Sequence, residues 1–217
     1  MGNIVKGGEF LIKEIPANEI FSLEELNEEQ KMLRDSAKEF IDREVVPQHD
    51  RFEKKDYALT EETMRKLGEM GLLGITVPEE YGGLGMGFVS TMLACDYVSG
   101  GNGSLATAYG AHTGIGTLPT LLYGSEELKK KYLPDLAAGT KFGAYCLTEP
   151  DAGSDANSGK TRAKLSEDGK HYIINGQKMW ISNAGFADTF TLFAKIDDDK
   201  NITGFVINRS ELENPDS

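Results

Sequence analysis

The spacing of apolar residues changes its period near Thr140, and this change constrains the fold more than any other feature of the chain. Between residues 27 and 133 apolar side chains recur every three or four positions, which is typical of helices that bury one face. After residue 140 they fall in short runs rich in β-branched and aromatic side chains, which is typical of strands. The pattern predicts an α+β protein: an extension at 1–26, a helical domain at 27–141, then an antiparallel, barrel-like β domain at 142–217.

Five helices are predicted in the helical domain from apolar stripes and their flanking residues. The first stripe ends before Pro47, the second is closed by Gly71 in a left-handed conformation, and the third stops at Gly100-Gly101. Ser104 is predicted to cap the fourth helix, which reaches toward residues 119–124, and Ser125 to cap the fifth. The stripes hold Leu33, Ala37, Phe40 and Ile41, then Met64, Leu67 and Met70, then Phe88 to Val98.

Six short strands are predicted in the β domain, and turn signals such as Asn175-Gly176 and Glu167-Asp168-Gly169 separate several of them. The acidic run Asp197–Asp199 is predicted to be a solvated turn. The polar end of the chain offers no closing partner to the last strand, so the β domain is expected to be truncated. The predicted strands are Phe142–Thr148, Thr161–Ser166, Lys170–Ile174, Lys178–Ser182, Phe190–Ile196 and Ile202–Asn208.

The composition excludes several classes of function. A formal net charge of -12 argues against binding to nucleic acid or to anionic membrane surfaces, because like charges repel. Cys95 and Cys146 lie far apart, and the three histidines complete no metal-binding spacing, so no metal site is predicted. The start of the chain has neither the apolar core of a signal peptide nor the composition of a transit peptide. These features predict a soluble cytoplasmic protein.

One stretch carries more hydrogen-bonding residues than a turn needs. It runs from Tyr145 to Gly159, with the sequence YCLTEPDAGSDANSG, and a proline interrupts a strand-like start. A second distinctive stretch, GQKMWISNAG, follows at Gly176–Gly185 and contains the only tryptophan of the chain. We call these the first and the second motif segment. Together they resemble the motifs of the flavin-dependent acyl-CoA dehydrogenases, a match far more specific than a lone glycine pattern.

The resemblance rests on every constrained position of the first motif segment and extends from about residue 21 to residue 208. VPEEYGGLG at Val77–Gly85 and KYLPDLAAGT at Lys131–Thr140 also look like that family. The matching positions of the first motif segment are Cys146, Leu147, Thr148, Glu149, Gly153, Ser154, Asp155 and Ser158.

The resemblance implies an enzyme that uses FAD to desaturate fatty acyl-CoA thioesters between the α and β carbons in fatty acid β-oxidation. It implies electron-transfer flavoprotein as the electron acceptor, and a homodimer or homotetramer. The family has a C-terminal helical bundle that carries its catalytic glutamate, and no such bundle is present in this sequence. We therefore assign no catalytic base, and we expect this chain to be a fragment that is inactive alone and holds FAD weakly.

The resemblance and the chemistry of the flavin together indicate candidate cofactor-binding residues. A strand end can offer backbone donors and acceptors to the edge of the flavin ring, and a hydroxyl adds a further donor. Glycine lets backbone amides approach a phosphate closely, and an indole gives broad flat cover for a ring. By resemblance Ser154 also lies near the CoA part of the substrate, and Ser182 can bond to the flavin N5. The candidates are Tyr145, Leu147, Thr148, Gly153, Ser154, Trp180, Ile181 and Ser182.

Each of these residues also has a simpler interpretation. Gly, Ser and Asp favour turns in any case, and Trp180 can belong to a core. Glu149 and Asp155 are predicted to be structural, capping the loop or pairing locally. Acyl-CoA oxidases and flavin monooxygenases share the fold and are an alternative function. A non-catalytic acyl-CoA or protein-binding module is an alternative of another class.

A stripe of small residues suggests the length of the acyl chain. In the family the corresponding helix lines the deep end of the acyl pocket. Thr107, Gly110, Ala111 and Gly114 share one helical face by their spacing, and small side chains leave room for more methylenes. KGGEFLI at residues 6–12 also looks like the very-long-chain branch. We therefore expect long or very long acyl chains, although the same small residues can simply let two helices pack closely.

Overall fold

The computed structural model describes residues 8–20 and 25–212. The start of KGGEFLI, part of the predicted extension and most of the polar C-terminal end lie outside these residues. Within the described part no helix is long and apolar enough to cross a membrane, and no group of His, Cys, Asp and Glu side chains has the arrangement of a metal site. The helices are α1 Glu28–Phe40, α2 His49–Glu53, α3 Tyr57–Glu69, α4 Phe88–Gly101, α5 Gly103–Gly110, α6 Leu118–Tyr123 and α7 Glu126–Ala138.

Polar side chains begin several of these helices, as the sequence indicates. Asn27 and Gln30 form a reciprocal capping box at α1, and Ser125 accepts a hydrogen bond from the Leu128 amide at α7, as predicted. Gly71 follows α3 with a φ of 76°, which confirms the predicted left-handed conformation. The prediction for α5 is wrong by two residues. Asn102, not Ser104, caps that helix, because its Oδ1 accepts hydrogen bonds from both the Ser104 and the Leu105 amides.

The first helix, α1, ends at Phe40 and therefore before Pro47, as predicted. The chain continues as a π-helical turn at Ile41–Val45 and a 3-10 turn at Val46–Gln48. Pro47 lies at the start of that 3-10 turn, where its missing N–H costs no hydrogen bond. The predicted fourth helix is α5, a π-helical turn at Ala111–Gly116, and then α6, whose second residue is also a proline.

One apolar cluster forms the core of the helical part. It joins the buried faces of α1, α3, α4 and α5 to the connector after α3, and it includes the stripe residues that the periodicity predicts. The exceptions are Met70 at the end of α3, which is 37% exposed, and three residues of the α4 stripe that also remain exposed: Phe88, Val89 and Met92. A smaller cluster lies under α7. Members of the main cluster include Ala37, Phe40, Ile41, Met64, Leu67, Leu105 and Phe142.

The second part of the chain is a five-stranded sheet of mixed direction, which corrects the expected antiparallel arrangement. β4 pairs in parallel with β1 and then with β2 along one edge, and it pairs antiparallel with β5 along the other. β2 and β3 form an antiparallel hairpin. The structure thus confirms a helical part followed by a sheet, and within the described residues the sheet is not closed into a barrel. The strands are β1 Gly143–Cys146, β2 Arg162–Leu165, β3 Tyr172–Asn175, β4 Thr189–Ile196 and β5 Thr203–Asn208.

The predicted strand Lys178–Ser182 is wrong, because this segment is irregular and joins no ladder. The Met179 amide donates to the Thr148 carbonyl at 2.9 Å, so the segment crosses the end of β1 instead of pairing with a strand. The acidic run Asp197–Asp199 is an exposed turn, as predicted.

His112 joins the helical part to the sheet. It is fully buried, its Nδ1 accepts from the Gly143 amide at 3.0 Å, and its Nε2 lies 3.0 Å from the Leu136 carbonyl. These two partners require the neutral ring with the proton on Nε2. Burial lowers the pKa of His112 to about 4, so the ring stays neutral near pH 7. The Phe142 ring packs edge-on against the imidazole, with 5.7 Å between the ring centroids.

Candidate functional site

The end of β1 brings the two motif segments together. β1 ends at Cys146, and the chain continues through Leu147 and Thr148 into the loop of the first motif segment. The Thr148 carbonyl accepts from the Met179 amide at 2.9 Å, and the Leu147 carbonyl accepts from Lys178 Nζ at 3.1 Å. Two stretches about thirty positions apart in the chain therefore meet at one strand end.

Glu149 is the centre of this junction. Its carboxylate is 7% exposed and accepts from Lys178 Nζ at 2.7 Å and from the backbone amides of Lys160 and Thr161 at 2.5 and 3.1 Å. Its backbone also exchanges two hydrogen bonds with Ala152, which closes a tight turn. The predicted structural role of Glu149 is thus confirmed by its contacts.

The ionisation of Glu149 follows from these bonds. Burial by itself raises the pKa of a carboxyl, but the hydrogen bonds from Lys178, Thr161 and Lys160 outweigh burial and hold the pKa of Glu149 at about 2. Burial raises the pKa of the neighbouring Cys146 thiol to about 11, with a smaller opposing effect of Lys178. The junction therefore contains one carboxylate, one ammonium and a neutral thiol near pH 7.

The loop between Glu149 and Gly159 projects into solvent. Gly153 and Ser154 are exposed, and a Cβ built on Gly153 meets no atom within 4 Å. Asp155 differs from its predicted role, because its backbone carbonyl, not its carboxylate, accepts from the amide and hydroxyl of Ser158. The side chain of Asp155 is exposed. The loop thus presents open backbone and hydroxyl groups above a rigid base.

Trp180 is the most unusual residue of the junction. Its side chain is 84% exposed, although indoles are usually largely buried, and its backbone has a φ of 61°, which non-glycine residues rarely adopt. It is therefore not part of a core. Ile181 and Ser182 follow and are half-buried. Within the described residues, the hydroxyls of Thr148, Ser154 and Ser182 make no hydrogen bond.

Two further residues, Asn183 and Arg209, hold the chain after Trp180. Asn183 has a φ of 67°, and its Nδ2 donates to the Ala108 carbonyl of α5 at 2.9 Å and, at 3.4 Å, to the Gly143 carbonyl. Arg209 donates to the Ala184 and Ala187 carbonyls. The asparagine itself was the available signal, because Asn tolerates the left-handed region better than most residues. No local pattern indicates the distant contact of Arg209.

Tyr145 is separated from the other candidates. Its ring lies 4.9 Å from that of Phe193, between centroids, and it lines a cavity of about 400 Å³ between α6 and the sheet. None of the other predicted flavin residues lines this cavity. Tyr145 is therefore close to the junction only through its backbone in β1, whereas its side chain lines the separate cavity.

A second apolar groove of about 230 Å³ runs along α5 and its π-helical continuation. Gly110 and Gly114 line it together with Ile75, Met92 and Tyr109, and a Cβ on either glycine meets no atom within 4 Å. The predicted stripe is only half present, because Thr107 and Ala111 do not line the groove. Ala111 is 8% exposed and begins the π-helical turn, which shifts the register of the face.

Both parts of the chain match known proteins. The family model described as "Acyl-CoA dehydrogenase, N-terminal domain" matches residues 27–140, and the one described as "Acyl-CoA dehydrogenase, middle domain" matches residues 144–214. A probable acyl-CoA dehydrogenase of Bacillus subtilis is 44% identical over 207 residues, which cover 95% of this chain and 34% of that protein. The mitochondrial isovaleryl-CoA dehydrogenase of Solanum tuberosum is 39% identical over 184 residues, or 83% of this chain and 44% of that protein.

Solved structures give the same result. An acyl-CoA dehydrogenase complexed with FAD from Bacillus anthracis superposes with a TM-score of 0.88 at 45% identity, covering 94% of this chain and 35% of that one. A structure described as the electron transferring flavoprotein of Acidaminococcus fermentans has a TM-score of 0.78 at 36% identity, covering 87% of this chain and 49% of that one. The chain spans about a third to a half of the length of these relatives. The chain belongs to the acyl-CoA dehydrogenase family.

Proposed function

We propose that the whole protein is an FAD-dependent acyl-CoA dehydrogenase that introduces a double bond between the α and β carbons of an acyl-CoA thioester. The observation that carries this proposal is the junction at the end of β1, where the Thr148–Met179 hydrogen bond sets both motif segments side by side. Family membership and the FAD named for the Bacillus anthracis relative support it.

The residues of the junction fit a flavin. The indole of Trp180 offers an exposed flat surface. The hydroxyls of Thr148 and Ser182, which have no hydrogen-bond partner among the described residues, can act as donors or acceptors. Gly153 and Ser154 lie in an open loop where a pyrophosphate can approach the backbone. When bound, FAD supplies the two-electron acceptor that a desaturation needs. We assign the role of covering the ring to Trp180, and that of donor to the flavin N5 to Ser182.

We propose further that the acyl tail lies in the groove beside Gly110 and Gly114. The groove is apolar, and Phe88 and Met92 at its rim are 71% and 42% exposed, so a hydrocarbon chain would remove apolar surface from water. The proposed preference for long chains rests on this groove alone. The isovaleryl-CoA dehydrogenase among the relatives is named for a short branched acyl group.

The partners follow from the same proposal. We propose an electron-transferring flavoprotein as the electron acceptor, which the similarity to the Acidaminococcus fermentans structure supports. A homodimer or homotetramer and a cytoplasmic location stay predictions.

Anaerobic mixing of the whole protein, reconstituted with FAD, with acyl-CoA tests the proposed function. We expect the absorbance of oxidised flavin to disappear and an enoyl-CoA to form in equal amount. A flavin that acyl-CoA leaves oxidised would contradict the proposal, and rapid reoxidation of the reduced flavin by air would favour an oxidase.

The acyl groove is tested with a series of substrates from butyryl-CoA to palmitoyl-CoA. Gly110→Leu and Gly114→Leu should fill the groove without disturbing the fold, because neither position has a neighbour within 4 Å. We expect kcat/KM for long chains to fall by about fourfold for each methylene displaced, equivalent to about 0.8 kcal/mol. Gly100→Leu is the control, since Gly100 is also helical and open but lies outside the groove. Unchanged chain-length profiles would contradict this placement.

A further inference from the structure

The chain around Trp180 adopts a conformation that its own side chain does not explain. The indole is 84% exposed, so packing of the ring cannot hold the backbone at a φ of 61°. A residue in this sparsely populated region persists only where its surroundings fix it. The cause therefore lies in the residues on either side of Trp180.

The contacts before Trp180 are charged and buried. Lys178 is 11% exposed and Glu149 7% exposed, and their ion pair measures 2.7 Å between Nζ and Oε1. The same ammonium donates to the Leu147 carbonyl at 3.1 Å, at the end of β1. Two other lysine–carboxylate pairs lie in the sheet half or at its start, Lys160–Asp151 and Lys141–Asp135. Their carboxylate side chains are far more exposed, at 70% for Asp151 and 41% for Asp135. A buried pair of this kind resists displacement, because separating the two groups would leave each of them as an uncompensated buried charge.

We propose that Lys178 is a positioning residue for the flavin site: its ammonium, bound to Glu149 and to the Leu147 carbonyl, holds Trp180 and Ser182 against the end of β1. The inference rests on the proposed function, because it concerns the same site. In the described part of the chain, the hydrogen bonds of the Lys178 ammonium go to Glu149 and to the Leu147 carbonyl, and not to Trp180 or Ser182. Lys178 acts through the backbone of the second motif segment. Before Trp180, the Met179 amide bonds to the Thr148 carbonyl, and after Ser182 the Asn183 side chain bonds to the Ala108 carbonyl.

The first test needs no flavin. Trp180 is the only tryptophan of this chain, so its fluorescence anisotropy reports the mobility of the second motif segment. We expect Lys178→Met to lower that anisotropy at temperatures well below unfolding, and Lys141→Met, which removes the partner of an exposed pair of similar length, to leave it unchanged. Equal anisotropy in Lys178→Met and the wild type would overturn the proposal, whether or not the protein binds a flavin.

The second test separates positioning from stability in the whole protein loaded with FAD. We expect Lys178→Met to slow flavin reduction at saturating acyl-CoA by about tenfold, with less than a twofold change in the half-saturating acyl-CoA concentration. The double variant Glu149→Gln with Lys178→Met leaves no lone buried charge, so its melting temperature should return toward that of the wild type while the slow reduction remains. It also serves as the test if Lys178→Met alone fails to fold.

The outcomes of these tests are distinct. A reduction rate that recovers together with the melting temperature in the double variant would make the pair merely structural and would overturn the proposal. A wild-type protein whose flavin acyl-CoA does not reduce would instead contradict the proposed function, and the anisotropy result would still decide the role of Lys178.

Discussion

The helical half and the two motif segments are ordered by different interactions. In the helical half, side chains such as Phe40, Leu67 and Leu105 share one apolar cluster and leave almost no surface exposed. At the junction of the motif segments, a buried carboxylate–ammonium pair and left-handed backbone lie beside an indole that faces solvent. Apolar packing stabilises the first region, whereas specific polar bonds fix the second, where we propose that the flavin binds. In this proposal, stability and binding belong to different parts of the molecule.

The largest expected effect tests the apolar side of this comparison. Phe142 is fully buried between His112 and Phe186, where the helical part meets β1. Phe142→Ala should lower the free energy of unfolding by about 3–5 kcal/mol, because it leaves a cavity between the helical part and β1 that the surrounding side chains cannot fill. Tyr172→Ala, which removes a partly exposed ring from β3, should cost about 1 kcal/mol or less. If denaturant titrations gave equal losses of unfolding free energy for the two variants, the contact between the helical part and β1 would not depend on apolar packing.

The second expected effect concerns pH. The folded pKa of His112 is about 4, below its ordinary value of 6.5, so the unfolded chain binds a proton first as the pH falls. The contribution of neutral His112 is complete above about pH 6.5 and is lost progressively toward pH 4, with a slope of up to about 1.4 kcal/mol per pH unit. Denaturant titrations between these pH values should give a steeper loss for the wild type than for His112→Gln. Parallel curves would exclude His112 as the cause.

A third, smaller effect tests the polar side of the comparison. Asn183→Gly removes the hydrogen bonds to Ala108 and Gly143 but keeps a residue suited to the left-handed region, and it should cost about 1 kcal/mol. Asn183→Ala should cost about 1 kcal/mol more, because its Cβ disfavours this backbone. Calorimetric melting of both variants gives the difference. A more stable alanine variant would mean that the left-handed conformation is not required.

The smallest expected effect has the opposite sign. Trp180→Gly should raise the free energy of unfolding by up to about 1 kcal/mol, because it relieves a left-handed residue and removes no buried contact. The same change should weaken FAD binding in the whole protein, since the proposed ring cover is lost. Circular dichroism melting of the purified chain measures the first effect. A destabilised variant would show that Trp180 packs against the fold in solution.

The helical half was largely predictable because burial of one helical face leaves a periodic trace in the sequence. The stripes through Ala37 and Leu67 and the cap at Ser125 were identified in this way. The start of α5 was not, since the choice between Asn102 and Ser104 depends on which side chain reaches the free amides.

The junction was predictable only as a resemblance between motifs. The short apolar and aromatic run within Lys178–Ser182 indicated a strand, but the Met179 amide bonds to the end of β1 and the segment remains irregular. The parallel pairings of β4 depend on contacts across long stretches of chain, which strand periodicity does not encode. The buried pair of Glu149 and Lys178 was likewise invisible, because charged residues carry no periodic signal of burial.

The most direct test of the central claim is the rate at which acyl-CoA reduces the flavin in Ser182→Ala. The claim is that the second motif segment faces the flavin and that the Ser182 hydroxyl is the donor to N5. Loss of one neutral hydrogen bond of about 1 kcal/mol predicts a rate about fivefold lower in anaerobic stopped-flow measurements on the whole protein. Ser166→Ala is the control, because Ser166 lies in the turn between β2 and β3. Its flavin should be reduced by acyl-CoA at the wild-type rate. A Ser182→Ala protein that folds, binds FAD and is reduced as fast as the wild type would contradict the claim.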